Sequence, residues 1–95
     1  MNENDKTPLV SILIISFNQE EFIEEALVSA LEQDYQNLEV VVADDASTDG
    51  TINIIKKYAE RFPSRLIPII EGENLGITGN SNRGLAACRG KYIAF

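Results

Sequence analysis

The sequence predicts an α/β fold built on a doubly wound, mainly parallel sheet. Four short apolar runs begin about 25 to 29 positions apart, near Leu9, Leu38, Leu66 and Lys91. Helical patterns lie between them, so strands and helices alternate as βαβαβαβ. Crossovers of this length join parallel strands, and a parallel sheet needs helices on both faces. The expected architecture is therefore Rossmann-like.

The strands are predicted from runs of β-branched and other apolar side chains. The runs at residues 9–15 and 38–43 are nearly continuous, as in strands that are buried on both faces. The run at 66–70 contains Pro68, which cannot donate a ladder hydrogen bond and so favours an edge of the sheet. The fourth run, residues 91–95, is the last element, and from this we expect a truncated domain. The pattern leaves the strand order open.

Two helices are predicted from one-sided apolar stripes. The first stripe covers residues 22–31, and Asn18 with Glu21 three positions later forms a plausible capping box ahead of it. The second stripe covers residues 52–62, and Pro63 ends it.

A weaker third helix is predicted from about Thr78 to Cys88, with Gly90 as a left-handed stop. Cys88 is the single cysteine, so no internal disulfide is possible. It lies among small apolar residues and is most simply a core residue.

Composition and charge exclude several classes of function. The 95 residues make one domain at most, and 15 acids against 8 bases give a net charge of −7, which repels nucleic acid and anionic lipid. With no histidine, the chain lacks most zinc sites and the usual general base. Residues 1–7 read as a polar tail and not as a signal peptide. We expect a cytoplasmic protein, with peripheral membrane attachment of the full-length protein left open.

Two loops at predicted strand ends carry the strongest candidates for a binding site. Ser16 and Phe17 follow the first strand, and the acid pair Asp44 and Asp45 ends the second. Adjacent carboxylates repel each other unless a cation, a donor or a helix N-terminus offsets them. Either acid is a candidate acceptor for an N–H or a hydroxyl of a ligand, and Phe17 is a candidate to stack on a flat ring. The alternatives are an acid that faces solvent and an aromatic ring at the edge of the core.

A third candidate is the glycine-containing stretch at residues 73–84. Gly76 and Gly79 near a helix start would let the backbone approach a ligand, and Arg83 is placed to face a phosphate. The spacing matches neither the P-loop nor the dinucleotide fingerprint. The alternative is an ordinary loop that leads into a helix and carries a surface arginine.

The motifs together resemble one family. The string Asp-Asp-Ala-Ser-Thr-Asp-Gly-Thr at residues 44–51 is its most specific part, and the rest of the chain from about Pro8 onward matches in register. The matching segments are residues 10–18, 24–33, 42–51, 74–76 and 82–95. The chain resembles the N-terminal portion of a family 2 inverting glycosyltransferase.

The resemblance implies residues 8–95 to be the nucleotide-binding half of a GT-A domain, which holds a nucleoside diphosphate sugar, most often a UDP-sugar. Ile15, Ser16 and Phe17 would line the uracil pocket, and Phe17 stands where the family commonly has tyrosine. Asp45 matches the acid that accepts the uracil N3–H. The expected nucleotide-binding set is Ile15, Ser16, Phe17, Asp44, Asp45, Gly76 and Arg83.

The resemblance also implies a divalent cation, Mg²⁺ or Mn²⁺, whose ligands would follow Phe95, and a catalytic base later still. We therefore expect no catalytic residue and no metal ligand in this fragment, which would be inactive alone. The expected partners are the donor and a carbohydrate or lipid-linked acceptor, with no nucleic acid. We also expect self-association through an exposed face.

Three alternatives compete with this interpretation. A dinucleotide-binding oxidoreductase domain needs two or three glycines after the first strand, and residues 16–20 contain none. A phospho-acceptor signalling domain would carry its acid pair after the first strand, whereas Asp44 and Asp45 follow the second. A non-catalytic partner module has no positive feature beyond an exposed apolar face.

Overall fold

The computed structural model describes residues 7–95, and within them strands and helices alternate as the sequence predicts. The predicted polar tail, residues 1–7, lies outside the described residues except for Thr7. The elements are β1 (Val10–Ser16), α1 (Ile23–Leu31), β2 (Leu38–Asp44), α2 (Thr51–Arg61), β3 (Leu66–Ile69), α3 (Gly76–Ala87) and β4 (Tyr92–Ala94).

The four strands form one sheet in the order β3-β2-β1-β4, and every neighbouring pair is parallel. The chain steps outward from β1 to β3 and then returns to place β4 on the other side of β1. Pro68 pairs with Val42 in β3, which is an edge strand, so the edge position predicted from Pro68 is confirmed.

Helices cover both faces of the sheet, which confirms the doubly wound architecture. Ile23, Leu27 and Ile55 of α1 and α2 pack on one face, together with Val40 and Val42 of β2. On the opposite face α3 approaches so closely that a Cβ on Gly84 would lie 2.7 Å from Leu13 Cδ1. Because β2 is covered on both faces, all seven of its residues are buried.

The first helix begins later than its predicted capping box. Phe22 is the N-cap residue of α1 and makes no side-chain cap, while Asn18 lies in the left-handed region at φ 51°. The Asn18 Oδ1 accepts the N–H of Thr48 at 2.8 Å instead. The capping-box prediction is wrong because this side chain joins two loops that are 30 positions apart.

The glycine after α3 has a different role from the one predicted. Gly90 is absent from the positive-φ residues of the described chain, so it is not a left-handed stop. A Cβ at Gly90 would lie 2.5 Å from the Ser11 nitrogen. Glycine is required there because the chain passes directly against β1 as it enters β4.

An ion pair between the buried Glu39 and the exposed Arg89, which the sequence pattern did not predict, ties this connection to the sheet. Glu39 lies in the middle of β2 and is 2% exposed. Its carboxylate accepts the Ser11 hydroxyl at 2.5 Å and the Arg89 N–H at 2.6 Å, and it pairs with the Arg89 guanidinium at 3.0 Å. Burial raises the pKa of Glu39, but these hydrogen bonds outweigh burial and leave it lowered.

The helices are too short or too polar for a membrane span. Within residues 7–95, none combines the length and the apolar character needed to cross a bilayer.

Candidate functional site

A pocket opens at the carboxyl ends of β1 and β2, beside the first turns of α3. Ser16 and Asp44 are register partners at these strand ends, so the loops after them leave the sheet side by side. The pocket has a volume of about 340 Å³ and is lined by Ile15, Ser16, Phe17, Gln19, Asp45, Ile77 and Asn80. Open α/β sheets bind ligands in this place, beyond the carboxyl ends of the strands.

A second cleft, of about 450 Å³, lies beside residues 34–37 before β2 begins. It is at the amino end of the sheet, which open α/β proteins do not use for their ligands. None of the residues singled out from the sequence lines it. We therefore take the pocket at the carboxyl ends as the candidate site.

Asp45 is the central polar group of this pocket. Its carboxylate accepts the N–H of Leu75 at 2.6 Å and the N–H of Gly76 at 2.9 Å. These groups belong to the start of α3, where backbone donors have no partner inside the helix and a negative charge is favoured. A carboxylate has about four acceptor positions, so two contacts leave it able to accept an N–H from a ligand in the pocket.

This contact explains why α3 begins earlier than predicted. The helix starts at Gly76 and not at Thr78, and Gly76 takes a positive φ of 80°. The cap of the helix comes from Asp45, 31 positions away, and no local sequence pattern reveals such a cap.

Two apolar side chains stand at the mouth of the pocket. Phe17 is 46% exposed and Ile77 is 82% exposed, although both are large and hydrophobic. Ser16 contributes to the wall while its hydroxyl is turned into the protein, where it donates to Asp44 at 2.7 Å. An exposed aromatic ring beside a fixed carboxylate suits a flat heteroaromatic ligand that carries an N–H donor.

Asp44 does not line the pocket, in contrast to the ligand contact expected from the sequence. It is 1% exposed, and its carboxylate accepts the Ser16 hydroxyl, the Ser47 N–H at 2.8 Å and the Ser47 hydroxyl at 2.6 Å. Adjacent side chains of a strand point to opposite faces, so only one acid of the pair reaches the site. Asp44 instead holds the two loops together.

The loop between β2 and α2 is fixed by further hydrogen bonds. Asp49 accepts the Thr51 N–H at 2.9 Å and the Thr51 hydroxyl at 2.5 Å. Burial raises the pKa of Asp49, but the bonds from Thr51 and from the Glu20 N–H outweigh it, so the pKa is lowered. These N–H and hydroxyl donors thus offset the repulsion between the clustered carboxylates.

The structure brings Gly76 and Arg83 near the site but not into the pocket. Gly76 contributes its N–H to Asp45. Arg83 donates to the carbonyls of Glu71 at 3.2 Å and Asp44 at 2.9 Å, and to Asn80 Oδ1 at 2.7 Å. The guanidinium expected to face a phosphate is therefore engaged with the protein, and its buried Nε is without a partner in the described structure.

Three pocket residues were not singled out individually from the sequence: Gln19, Ile77 and Asn80, the last two within the candidate stretch at residues 73–84. Asn80 is fully buried, and its Nδ2 donates to the Ala43 carbonyl at 2.9 Å. A polar residue inside the predicted α3 was the available signal for Asn80. Ile77 could not be assigned, because the predicted helix began one residue after it.

The described residues do not form a metal site by themselves. In residues 7–95 no group of three His, Cys, Asp or Glu side chains comes together as a metal cluster.

Comparison with known proteins identifies a family. The model described as "Glycosyl transferase family 2" matches residues 11–95. The chain is 41% identical over 87 residues to the UDP-Glc:alpha-D-GlcNAc-diphosphoundecaprenol beta-1,3-glucosyltransferase WfaP of Escherichia coli, covering 92% of this chain and 34% of WfaP.

Two solved structures are similar in fold. The mannosyltransferase PcManGT from Pyrobaculum calidifontis, in complex with GDP-Man and Mn²⁺, superposes with a TM-score of 0.81 at 37% identity, over 90% of this chain and 26% of that one. TarS 1–349 of S. aureus in complex with UDP gives a TM-score of 0.78 at 33% identity, over 90% and 25%. The chain thus spans about a quarter to a third of the length of these three proteins.

Proposed function

The chain belongs to glycosyl transferase family 2, and from this premise we propose that residues 8–95 bind the nucleotide of a nucleoside diphosphate sugar. The proposed activity is transfer of the sugar to an acceptor hydroxyl with inversion at the anomeric carbon. The observation that carries the proposal is the Asp45 carboxylate, held by two backbone N–H groups at a pocket that Phe17 flanks.

The chemistry of Asp45 favours particular bases. An ionised carboxylate only accepts hydrogen bonds, so a base that binds it must present an N–H donor, and a donor within the ring discriminates most clearly between the pyrimidines. Uracil presents such a ring donor at N3, whereas N3 of cytosine carries no hydrogen. We propose a UDP-sugar as the donor, in agreement with UDP bound to TarS.

Guanine is the second candidate base. Its N1–H and its exocyclic amino group can donate together to one carboxylate, and the similar mannosyltransferase PcManGT was solved with GDP-Man. Adenine has no ring N–H on its Watson–Crick edge, so an adenine nucleotide would not bind in this mode. The dinucleotide-binding oxidoreductase reading is not favoured, because residues 16–20 contain no glycine.

We propose that these residues recognise the base and that residues outside 7–95 supply the remaining chemistry. A chain with a net charge of −7 binds a diphosphate poorly unless a cation neutralises it. Mn²⁺ in the PcManGT complex supports a divalent cation in the family. We place its ligands and the carboxylate base outside residues 7–95, so that this part alone does not turn over.

For the acceptor we propose a chemical class, and for the location a compartment. WfaP is named for a diphosphoundecaprenol acceptor, which supports a carbohydrate or lipid-linked acceptor. A cytoplasmic location fits a chain with a single cysteine and no disulfide pair.

Calorimetric titration with UDP, GDP, CDP and ADP, first with Mn²⁺ and then with EDTA, tests the proposal. The proposal predicts binding of UDP or GDP that weakens when EDTA removes the metal, and no binding of CDP in the same mode. A preference for ADP would contradict the proposal and would favour a dinucleotide-binding domain.

A further inference from the structure

Three consecutive backbone carbonyls at the carboxyl end of β2 accept hydrogen bonds from side chains of one segment, residues 74–83. The pairs are Asn80 Nδ2 to the Ala43 carbonyl at 2.9 Å, Arg83 Nη2 to Asp44 at 2.9 Å, and Asn74 Nδ2 to Asp45 at 3.0 Å. The ladder between β2 and β3 ends at Ala43 and Ile69. Side-chain donors thus bind the β2 carbonyls at the point where the pairing with β3 ends.

The backbone of the same segment donates two further hydrogen bonds to the end of the strand. The Asp45 carboxylate accepts the N–H groups of Leu75 and Gly76, so the segment is held by both its side chains and its backbone. Asp45 is 4% exposed, and rotation of its carboxylate would break both of these bonds. Its direction therefore depends on where residues 74–83 sit relative to the strand end.

Asn80 and Arg83 are themselves coupled. Arg83 Nη2 donates to Asn80 Oδ1 at 2.7 Å, which turns the Asn80 amide so that its Nδ2 faces the Ala43 carbonyl. Arg83 Nη1 also reaches the Glu71 carbonyl at 3.2 Å, at the start of the loop that leads to α3. A planar guanidinium serves several acceptors at fixed angles, which a lysine ammonium does not reproduce.

We propose that Asn80 and Arg83 are positioning residues that set the direction of the Asp45 carboxylate and so determine which base the pocket accepts. The proposal rests on the proposed nucleotide site and adds to it the origin of its selectivity. Neither residue is assigned a contact with phosphate. Asn80 acts from the wall of the pocket and Arg83 acts from behind it.

The first test is the ratio of UDP to CDP affinity in Arg83→Lys. We expect UDP to bind about tenfold more weakly, the change that loss of one good hydrogen bond produces, and the ratio to fall with it. Arg65→Lys is the matched control, because Arg65 also donates to backbone carbonyls, those of Leu31 and Tyr35, away from the site. An unchanged ratio in a folded Arg83→Lys would overturn the proposal.

The second test needs no nucleotide. Hydrogen exchange of the Leu75 and Gly76 amides reports their bonds to Asp45, and we expect Arg83→Lys to accelerate both by about tenfold. Arg65→Lys should leave both rates unchanged. Unaltered exchange at Leu75 and Gly76 in Arg83→Lys would overturn the positioning role.

Asn80→Ala provides a second variant in case Arg83→Lys does not fold. We expect it, too, to weaken UDP binding, lower the ratio of UDP to CDP affinity and accelerate exchange at Leu75 and Gly76. If the wild-type chain binds neither UDP nor GDP, the proposed function fails. Accelerated exchange in the variants would still support the coupling to Asp45 in that case, so the two failures are distinguishable.

Discussion

At the scale of single residues, the candidate site depends on which acid of the Asp44 and Asp45 pair faces the pocket. The sequence places both acids at a strand end, and the resemblance selects Asp45. The structure adds the reason, because the Asp44 carboxylate is used by Ser16 and Ser47 while Asp45 lines the pocket. Ile15, Ser16 and Phe17 were predictable as consecutive residues at the carboxyl end of the first strand.

Other members of the site could not be predicted from local patterns. The position of Asn80 depends on its hydrogen bond to the Ala43 carbonyl, which joins α3 to β2 across 37 positions of the chain. The direction of Arg83 depends on three acceptors that come together only in the folded chain.

A strained residue beside the acid pair gives a residue-scale prediction. Ala46 has a φ of 60°, in the left-handed region that disfavours a side chain. Ala46→Gly should raise the free energy of unfolding by about 0.5–1 kcal/mol, because relief of this strain exceeds the entropy that glycine loses on folding.

Denaturant unfolding of Ala46→Gly and of Ala26→Gly gives the check and its control. Ala26 is exposed in the ordinary helix α1, where the same substitution should lower stability by about 0.5–1 kcal/mol. Equal losses in both variants would contradict strain at Ala46.

At the scale of elements, the fold follows from tertiary contacts at the ends of helices and strands. The helix α1 starts at Ile23 without a side-chain cap, and α3 starts under a cap from Asp45. Ahead of β4, Arg89 pairs with Glu39 of β2 and the Gly90 N–H donates to the Ser11 hydroxyl of β1. The sequence predicted every element but misplaced these ends, because their partners are remote in the chain.

The buried Glu39 predicts a pH dependence of stability. Its pKa is lowered in the folded chain. Its contribution to the free energy of unfolding is therefore complete above the range where free glutamate titrates, about 4.3. That contribution is lost as the pH falls through the lower folded pKa. Glu39→Gln should reduce stability near neutral pH by about 1–3 kcal/mol and flatten the acid side of the profile.

Urea unfolding between pH 7 and about pH 3 measures the difference between wild type and Glu39→Gln, with the exposed Glu25→Gln as the control. Glu24 and Asp49, whose pKa values are also lowered, cancel in this difference. A stability difference that is constant over the whole range would contradict the role of Glu39.

At the scale of the whole molecule, the doubly wound sheet and its parallel pairing were predictable from the alternation of apolar runs and stripes. Pro68 placed β3 at one edge. The strand order could not be read, because nothing in the run at residues 91–95 states on which side of β1 it pairs.

The open side of β4 predicts self-association. In the described structure β4 pairs with β1 alone, and Tyr92, Ile93 and Phe95 are 57%, 40% and 81% exposed. An exposed strand edge with apolar side chains promotes pairing between chains. Sedimentation velocity should show association that increases with concentration.

Ile93→Lys should reduce that association, since a charge on an edge strand opposes pairing. Phe22→Lys replaces another exposed apolar side chain, outside the strands, and should have no such effect. A wild-type chain that is monomeric at every concentration would contradict the prediction.

The central claim, that Asp45 receives the base of a nucleotide, is tested most directly by nuclear magnetic resonance titration of the isotope-labelled chain with UDP. The account predicts shifts of the amides around the pocket, at Phe17, Asp45, Ile77 and Asn80, weaker shifts with CDP, and their loss in Asp45→Asn. Shifts confined to residues 34–37, or equal shifts with CDP and in Asp45→Asn, would contradict it.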